Sequence, residues 1–285
     1  MKIFGCFAAF IVAVSISAKV FAADEPDVHA YGAVAIELST GRVLWEKEAH
    51  KQLPMASTTK IMTAILTLES CETSEIATVS SKAAAAPAVK LGLIKGEKIS
   101  VRDLLHALML QSSNDAAVVI AEHVGGSVEN FCDLMTLKAK SIGAKDTSYK
   151  TPNGLDAEGH FSTAYDLAII TRYALENKDF RDLINTKTYT AKSDKRTFSL
   201  VNKNRFLYEY EGAFGVKTGY TGNAGNCFVG AAKKDGMEVI TVVLGSGWGT
   251  AGKTRKFTDT KNIMNYSFKT YDMKNIINEG DYAGV

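Results

Sequence analysis

Residues 214–244 read FGVKTGYTGNAGNCFVGAAKKDGMEVITVVL. Three short, apolar, β-prone runs stand in this stretch: Phe214–Tyr220, Cys227–Ala232 and Glu238–Leu244. Glycine turns separate them, and Asp235-Gly236 is a strong hairpin signal. The other end of the chain carries a matching piece. Ala30–Glu37 (AYGAVAIE) is apolar, Ser39-Thr40-Gly41 is a turn signal, and Arg42–Trp45 (RVLW) is apolar again, which predicts a second hairpin. Between the two lies helical periodicity. Ile61, Met62, Ile65, Leu66 and Leu68 recur on one face after Ser57. Asp103–Val124 is helical with a polar break at Gln111-Ser112-Ser113-Asn114, and Glu129–Ile142 and Thr163–Leu175 follow. Lys253–Tyr271 closes as an amphipathic helix. Strands at both ends and helices in the middle predict an α+β fold. One antiparallel sheet is built from both chain ends and flanked by helices, with a helical lobe inserted over roughly residues 80–180.

The composition suits a globular domain: 285 residues, 46% hydrophobic and 22% charged. Its first segment is of another kind. Met1-Lys2 is a short positive start, Ile3–Ala18 is almost wholly apolar or small, and Val20-Phe21-Ala22 fits a cleavage site. Residues 1–22 therefore read as a signal peptide, short for a membrane span, with an uncleaved anchor as the plainer alternative. The expected product is an exported domain of residues 23–285, periplasmic or on the outer face of the cytoplasmic membrane. Removing the leader takes away Lys2 and Lys19 and no acidic residue, leaving 31 basic against 31 acidic side chains. No basic patch stands out, so nucleic acid is not an expected partner. Cys71, Cys132 and Cys227 remain, an odd number, so the domain is not a disulfide scaffold. Their spacing lacks the paired CxxC of a zinc site, and the five histidines form no HExxH. These residues read as packing and surface positions, with no metal or cofactor expected.

Three short motifs carry the chemistry: Ser57-Thr58-Thr59-Lys60, Ser112-Ser113-Asn114 and Lys217-Thr218-Gly219. A serine hydroxyl is a poor nucleophile until a base takes its proton. If Ser57 opens a helix, Lys60 lies one turn on, on the same face. An amine serves as that base only when desolvation or a neighbouring cation lowers its pKa, and Lys217 supplies such a cation if it faces Lys60. The helix dipole favours negative charge at Ser57. Ser112 can relay a proton to the leaving amine. Asn114, with a donor and an acceptor, can hold Lys60 and a substrate amide together. Lys217 and Thr218 on a strand edge offer a cation and a hydroxyl to a terminal carboxylate, and Gly219 lets a substrate backbone come close. The N–H groups of Ser57 and Tyr220 form the expected oxyanion hole. Taken singly, each motif has an ordinary reading: a capping serine, a polar turn, a loop beside a strand. Their order and their placement on the required elements carry the signal.

The set resembles the signature shared by class A β-lactamases and penicillin-binding proteins. More closely, the chain resembles the D-alanyl-D-alanine carboxypeptidases of the low-molecular-mass penicillin-binding group over roughly residues 30–270. The likeness runs through Ser39–Leu44, Met55–Thr63, Asn114–Ala117, Asn153–Asp156, Gly159–Ala164, Val216–Thr221 and Ala224–Cys227. It implies a β-lactamase/transpeptidase-like fold and a serine peptidase that removes the terminal D-alanine of peptidoglycan stem peptides through an acyl-enzyme on Ser57. It further implies β-lactams as covalent inhibitors. Three departures stand out. Ser113 occupies a position where the family usually has glycine. Members often place an arginine before the last helix to help bind the carboxylate; Arg255-Lys256 stand in that region without a determined register, and neither is assigned a role. The sequence ends at Asp281–Val285, where many members continue into a β-rich domain and an amphipathic anchor, so membrane attachment is doubtful.

Two other functions compete. A class A β-lactamase needs a glutamate for the deacylating water, and Thr151–Phe161 (TPNGLDAEGHF) contains no Glu-x-x-x-Asn loop. A penicillin-binding sensor with a dead site conflicts with the full set of reactive residues.

Overall fold

The structure, a computed structural model, describes residues 24–274. The leader expected at 1–22 and the end of the sequence at 281–285 lie outside the described residues. The chain opens with β1 (Gly32–Glu37) and β2 (Val43–Lys47), then a 3₁₀ turn (Ala56–Thr59) running into α1 (Lys60–Ser70). Next come β3 (Ile76–Thr78), the short α2 (Ser81–Ala84), β4 (Lys98–Ser100) and α3 (Val101–His106). A π turn (Ala107–Gln111) separates α3 from α4 (Asn114–Gly125), followed by α5 (Val128–Ser141), α6 (Ala164–Glu176) and α7 (Lys178–Asn185). β5 (Thr188–Lys192) and β6 (Thr197–Val201) form a hairpin, and α8 (Phe206–Glu209) precedes β7 (Ala213–Thr221), β8 (Gly225–Lys234) and β9 (Met237–Leu244). The long α9 (Gly249–Thr270) closes the described chain.

The main sheet has the order β2-β1-β9-β8-β7, and every pairing in it is antiparallel. β1, from the start of the chain, pairs with β9, from its far end, through Gly32↔Leu244 to Glu37↔Val239. The α+β fold with a sheet drawn from both termini is the one expected. Alternation along the strands separates two cores, because successive side chains point to opposite faces. Val34, Ile36, Val229, Ile240 and Val242 face the central helices, with α1 and α4 behind them. Ala33, Ala35, Phe228, Val239 and Val243 face the other way, against Phe257, Ile263 and Met264 of α9. A sheet buried on both faces explains why β8 and β9 read as nearly continuous apolar runs.

The structure refines two expectations. Ser57 does not open an α-helix: it sits in the 3₁₀ turn ahead of α1. The region Asp103–Val124 is two helices whose junction is wound to a π turn, and Ser112 caps it in the left-handed conformation, φ 63°. The two-stranded sheets β3–β4 and β5–β6 are additions to the sequence reading. Their strands are three to five residues long and half exposed, too short for a periodicity signal.

Candidate active site

The 3₁₀ turn leaves Ser57 half-buried and starts α1 directly behind it. Ala56 takes φ 48°, an uncommon conformation for a residue with a Cβ. Side chains of the same turn hold it: Thr58 Oγ1 donates to Met55 O (2.6 Å) and Thr59 Oγ1 to Ala56 O (2.8 Å). His160 Nδ1 accepts from the Lys150 N–H (3.0 Å), so its Nε2 carries the proton and donates to Thr59 Oγ1 (2.9 Å). Burial pushes the His160 pKa down to about 4, which keeps the ring neutral.

Lys60 is completely buried at the first position of α1. Its Nζ has three partners: Ser57 Oγ (2.9 Å), Asn114 Oδ1 (2.9 Å) and the Asn153 carbonyl (2.5 Å). The amide of Asn114 is oriented by its other end, where Nδ2 donates to Pro87 O (3.1 Å). Burial drives the Lys60 pKa well below the ordinary lysine value, the charge of Lys217 lowers it further, and Asp115 partly opposes them. Asp115 is itself buried and accepts from the backbone N–H groups of Leu91, Gly92 and Leu93 (2.7–3.0 Å), fixing the loop between α2 and β4 to the start of α4.

The segment Thr151–Asp156 forms the floor. Thr63 Oγ1 of α1 donates to Pro152 O (2.6 Å), one residue before the carbonyl that Lys60 holds. Gly154, at φ 84°, presses so closely on the turn that a Cβ there would lie 1.9 Å from Ala56 O and 2.9 Å from Ser57 N. Thr221 Oγ1 ties the same segment to the end of β7 through Asp156 Oδ1 (2.8 Å). β7 forms the opposite wall. A Cβ on Gly219 would stand 3.0 Å from Ser57 N and 3.2 Å from Thr58 N, so only glycine lets this strand approach the serine turn.

Lys217 is buried on β7 and donates to Thr218 O (2.9 Å). Burial, then the charges of Lys256 and Lys203, push its pKa down to about 7. Thr218 is half buried and Tyr220 exposed.

Of the residues expected from sequence, hydrogen bonds join Ser57, Lys60 and Asn114, Gly219 packs on Ser57, and Lys217 acts on Lys60 through its charge. Among the described residues, no hydrogen bond links the side chains of Ser112, Thr218 or Tyr220 to that group. Ser113 Oγ is buried without a partner among them. Sequence reasoning missed the Asn153 carbonyl, whose role is carried by a backbone atom and leaves no side-chain signature. It also assigned no role to Lys256. α9 buries this lysine, which donates to Asn226 Oδ1 (3.3 Å), while its neighbour Arg255 is exposed. Burial pushes the Lys256 pKa down to about 8.

A serine turn backed by a buried lysine, on a sheet of this topology, defines the class of penicillin-binding serine enzymes. Comparison with known proteins narrows the class. The family model for D-alanyl-D-alanine carboxypeptidase matches residues 19–247, and the chain belongs to that family. It is 39% identical over 249 residues to the D-alanyl-D-alanine carboxypeptidase DacF of Bacillus subtilis, covering 85% of this chain and 63% of the relative. A Streptomyces D-alanyl-D-alanine carboxypeptidase is 35% identical over 265 residues, 87% of this chain and 90% of that one. Among solved structures, a penicillin-binding protein homologue from Mycobacterium tuberculosis superposes with a TM-score of 0.84 at 30% identity. That match covers 90% of this chain and 98% of the other. The chain thus spans less than two thirds of the Bacillus relative's length and nearly all of the other two.

Proposed function

We propose that this protein is a serine-type D-Ala-D-Ala carboxypeptidase that removes the terminal D-alanine of peptidoglycan stem peptides through an acyl-enzyme on Ser57. The observation that carries this reading is the partner set of Lys60 Nζ. A neutral amine has two protons and one lone pair. Asn114 Oδ1 and the Asn153 carbonyl are acceptors only, so they take both protons. In its charged form Nζ donates to Ser57 Oγ as well, and the Ser57 hydroxyl donates to the Asn153 carbonyl (3.3 Å); once the amine is neutral, the hydroxyl is the one partner able to turn its proton to the lone pair. Burial and the charge of Lys217 favour the neutral amine. Ser57 passes its proton to Lys60 as its oxygen attacks the penultimate carbonyl, and the N–H groups of Ser57 and Tyr220 receive the oxyanion. Donors of that kind are typically worth about 3–4 kcal/mol each. Lys60 returns the proton to the departing D-alanine by way of Ser112. Water then hydrolyses the ester.

In this reading Lys217 and Thr218 bind the free carboxylate of the substrate, and the peptide extends along β7, with Gly219 admitting its backbone. β-Lactams acylate Ser57 in the same way and leave slowly, because Thr151–Asp156 presents a backbone carbonyl to the site and no water-activating glutamate. We place the activity outside the cytoplasm, with residues 1–22 as the leader and 23–285 as the catalytic domain. No helix among the described residues is long and apolar enough to cross a membrane.

The test is direct. A fluorescent penicillin should label the purified protein on Ser57, the protein should release D-alanine from a peptide ending in D-Ala-D-Ala, and Ser57→Ala should do neither. Labelling that persists in Ser57→Ala would sink the assignment. Carboxylate recognition has its own measurement. Amidating the substrate's terminus removes a charge-assisted hydrogen bond, which predicts a loss in kcat/KM of roughly ten- to a hundredfold. Lys217→Gln should lose a similar factor on the free acid and little more on the amide. Losses that simply multiply would confine Lys217 to tuning the Lys60 base.

A further inference from the structure

α1 and α4 begin at the serine–lysine site and end together on the far side of the helical region. Cys71 follows the last turn of α1, Glu75 lies in the turn before β3, and His123 stands in the last turn of α4. Cys71 Sγ, a Glu75 carboxylate oxygen and a His123 ring nitrogen all lie within 4.8 Å of one another. The group is partly exposed, so an ion can enter from solvent. His123 Nε2 is 3.0 Å from Glu75 Oε2, and the other oxygen of that carboxylate accepts from the Glu72 N–H (2.9 Å). The loop holding Cys71 and Glu75 is itself pinned: the N–H of Arg102 donates to Thr73 O (2.8 Å) and that of Val101 to Glu75 O (2.9 Å).

We infer that Cys71, Glu75 and His123 form a zinc site, with water in the fourth position. The donors decide the class of ion. Thiolate sulfur, imidazole nitrogen and one carboxylate oxygen suit a borderline-soft divalent metal, whereas magnesium and calcium require oxygen ligands. Bond lengths of about 2.0–2.3 Å in a tetrahedron place ligand atoms roughly 3–4 Å apart, so small rotamer changes close the site. As zinc–sulfur bonding forms, the S–H bond breaks and one proton passes to buffer. An eleven-residue α1 spans about 16 Å. The ion therefore joins the far ends of the two helices that present Lys60 and Asn114, and takes no part in their chemistry. Sequence spacing hides the site because the third ligand lies 48 residues from the second and on another helix.

The test uses the full chain, stripped with a chelator and titrated with Zn²⁺ alone against a chromogenic competitor. One zinc should bind per chain, and it should raise the thermal midpoint. Cys71→Ser, Glu75→Gln and His123→Ala should each weaken binding more than about tenfold, the loss typical of removing even an outer-shell partner. Unchanged circular dichroism of the stripped variants separates loss of ligand from loss of fold. Co²⁺ in place of Zn²⁺ should give a thiolate charge-transfer band that Cys71→Ser abolishes, since Cys132 and Cys227 are buried. Failure to take up one equivalent, affinity unchanged in Cys71→Ser and His123→Ala, or a cobalt band surviving Cys71→Ser would each overturn the site.

Discussion

Lys60→Arg is expected to lower the rate of acylation by about a thousandfold or more, within the range general-base catalysis supplies. Arginine stays protonated at all working pH values, so it can fill the volume and meet Asn114 and Asn153 without offering a lone pair to Ser57. Stopped-flow acylation by a penicillin measures this step free of deacylation. Acylation by this variant at near the wild-type rate would mean that another group takes the proton. The wild-type pH profile carries the same argument. Burial lowers the Lys60 pKa, so the active, neutral amine forms as pH rises. Acylation by a substrate that lacks a carboxylate should climb with pH and level off well below the ordinary lysine value of 10.5. Lys217 titrates the other way. The proposed carboxylate contact requires its charge, which in the free enzyme is lost above about pH 7. For a free-acid peptide, kcat/KM should therefore fall again above that pH, giving a bell, whereas an amidated peptide should show the rising limb alone. Lys217→Gln removes a cation that depresses Lys60, so the rising limb should move to higher pH.

Gly154→Ala is expected to destabilise the protein by about 2–5 kcal/mol, a sum of about 1–2 for a Cβ at positive φ and about 1–3 for overpacking against rigid backbone. The added methyl would stand 1.9 Å from the Ala56 carbonyl, an atom that already accepts the Thr59 hydroxyl. Relief comes only by shifting the Ser57 turn or by withdrawing the Asn153 carbonyl from Lys60. Either costs activity as well as stability, since a displacement of about 1 Å at the reacting atoms is worth on the order of a hundredfold. Denaturant unfolding and penicillin acylation on the same variant check both parts. Gly222→Ala is the control, because a Cβ there meets nothing within 4 Å. Gly154→Ala as stable and reactive as that control would show that the segment does not position the serine.

The residues bear unequal marks of this in the sequence. β8 and β9 were legible as strands because both faces are buried and the whole run must be apolar. The Asp235-Gly236 turn was legible because its geometry demands positive φ, and both residues adopt it, at 48° and 83°. The Ser57–Lys60 pairing was legible because three residues make one turn, whether 3₁₀ or α, and either puts the amine on the hydroxyl. All of these depend on near neighbours in the chain, and a pattern of near neighbours is what a sequence can carry.

Tertiary structure decided the rest. That Lys60 can be neutral depends on complete desolvation and on a cation 157 residues further on. That Lys60 Nζ is also held by the Asn153 carbonyl depends on an atom every residue possesses, so no residue type could announce it. Lys256 looks like any exposed helical lysine until α9 packs on β8 and buries it beside Asn226. Cys71, Glu75 and His123 are unremarkable in sequence and meet because α1 and α4 pack side by side and end together. By itself the sequence determined which groups could react and which segments pair into the sheet, because period and turn chemistry are local. Only the tertiary structure decided their protonation and aim, because desolvation, charge coupling and close backbone approach exist between segments that the fold alone brings together.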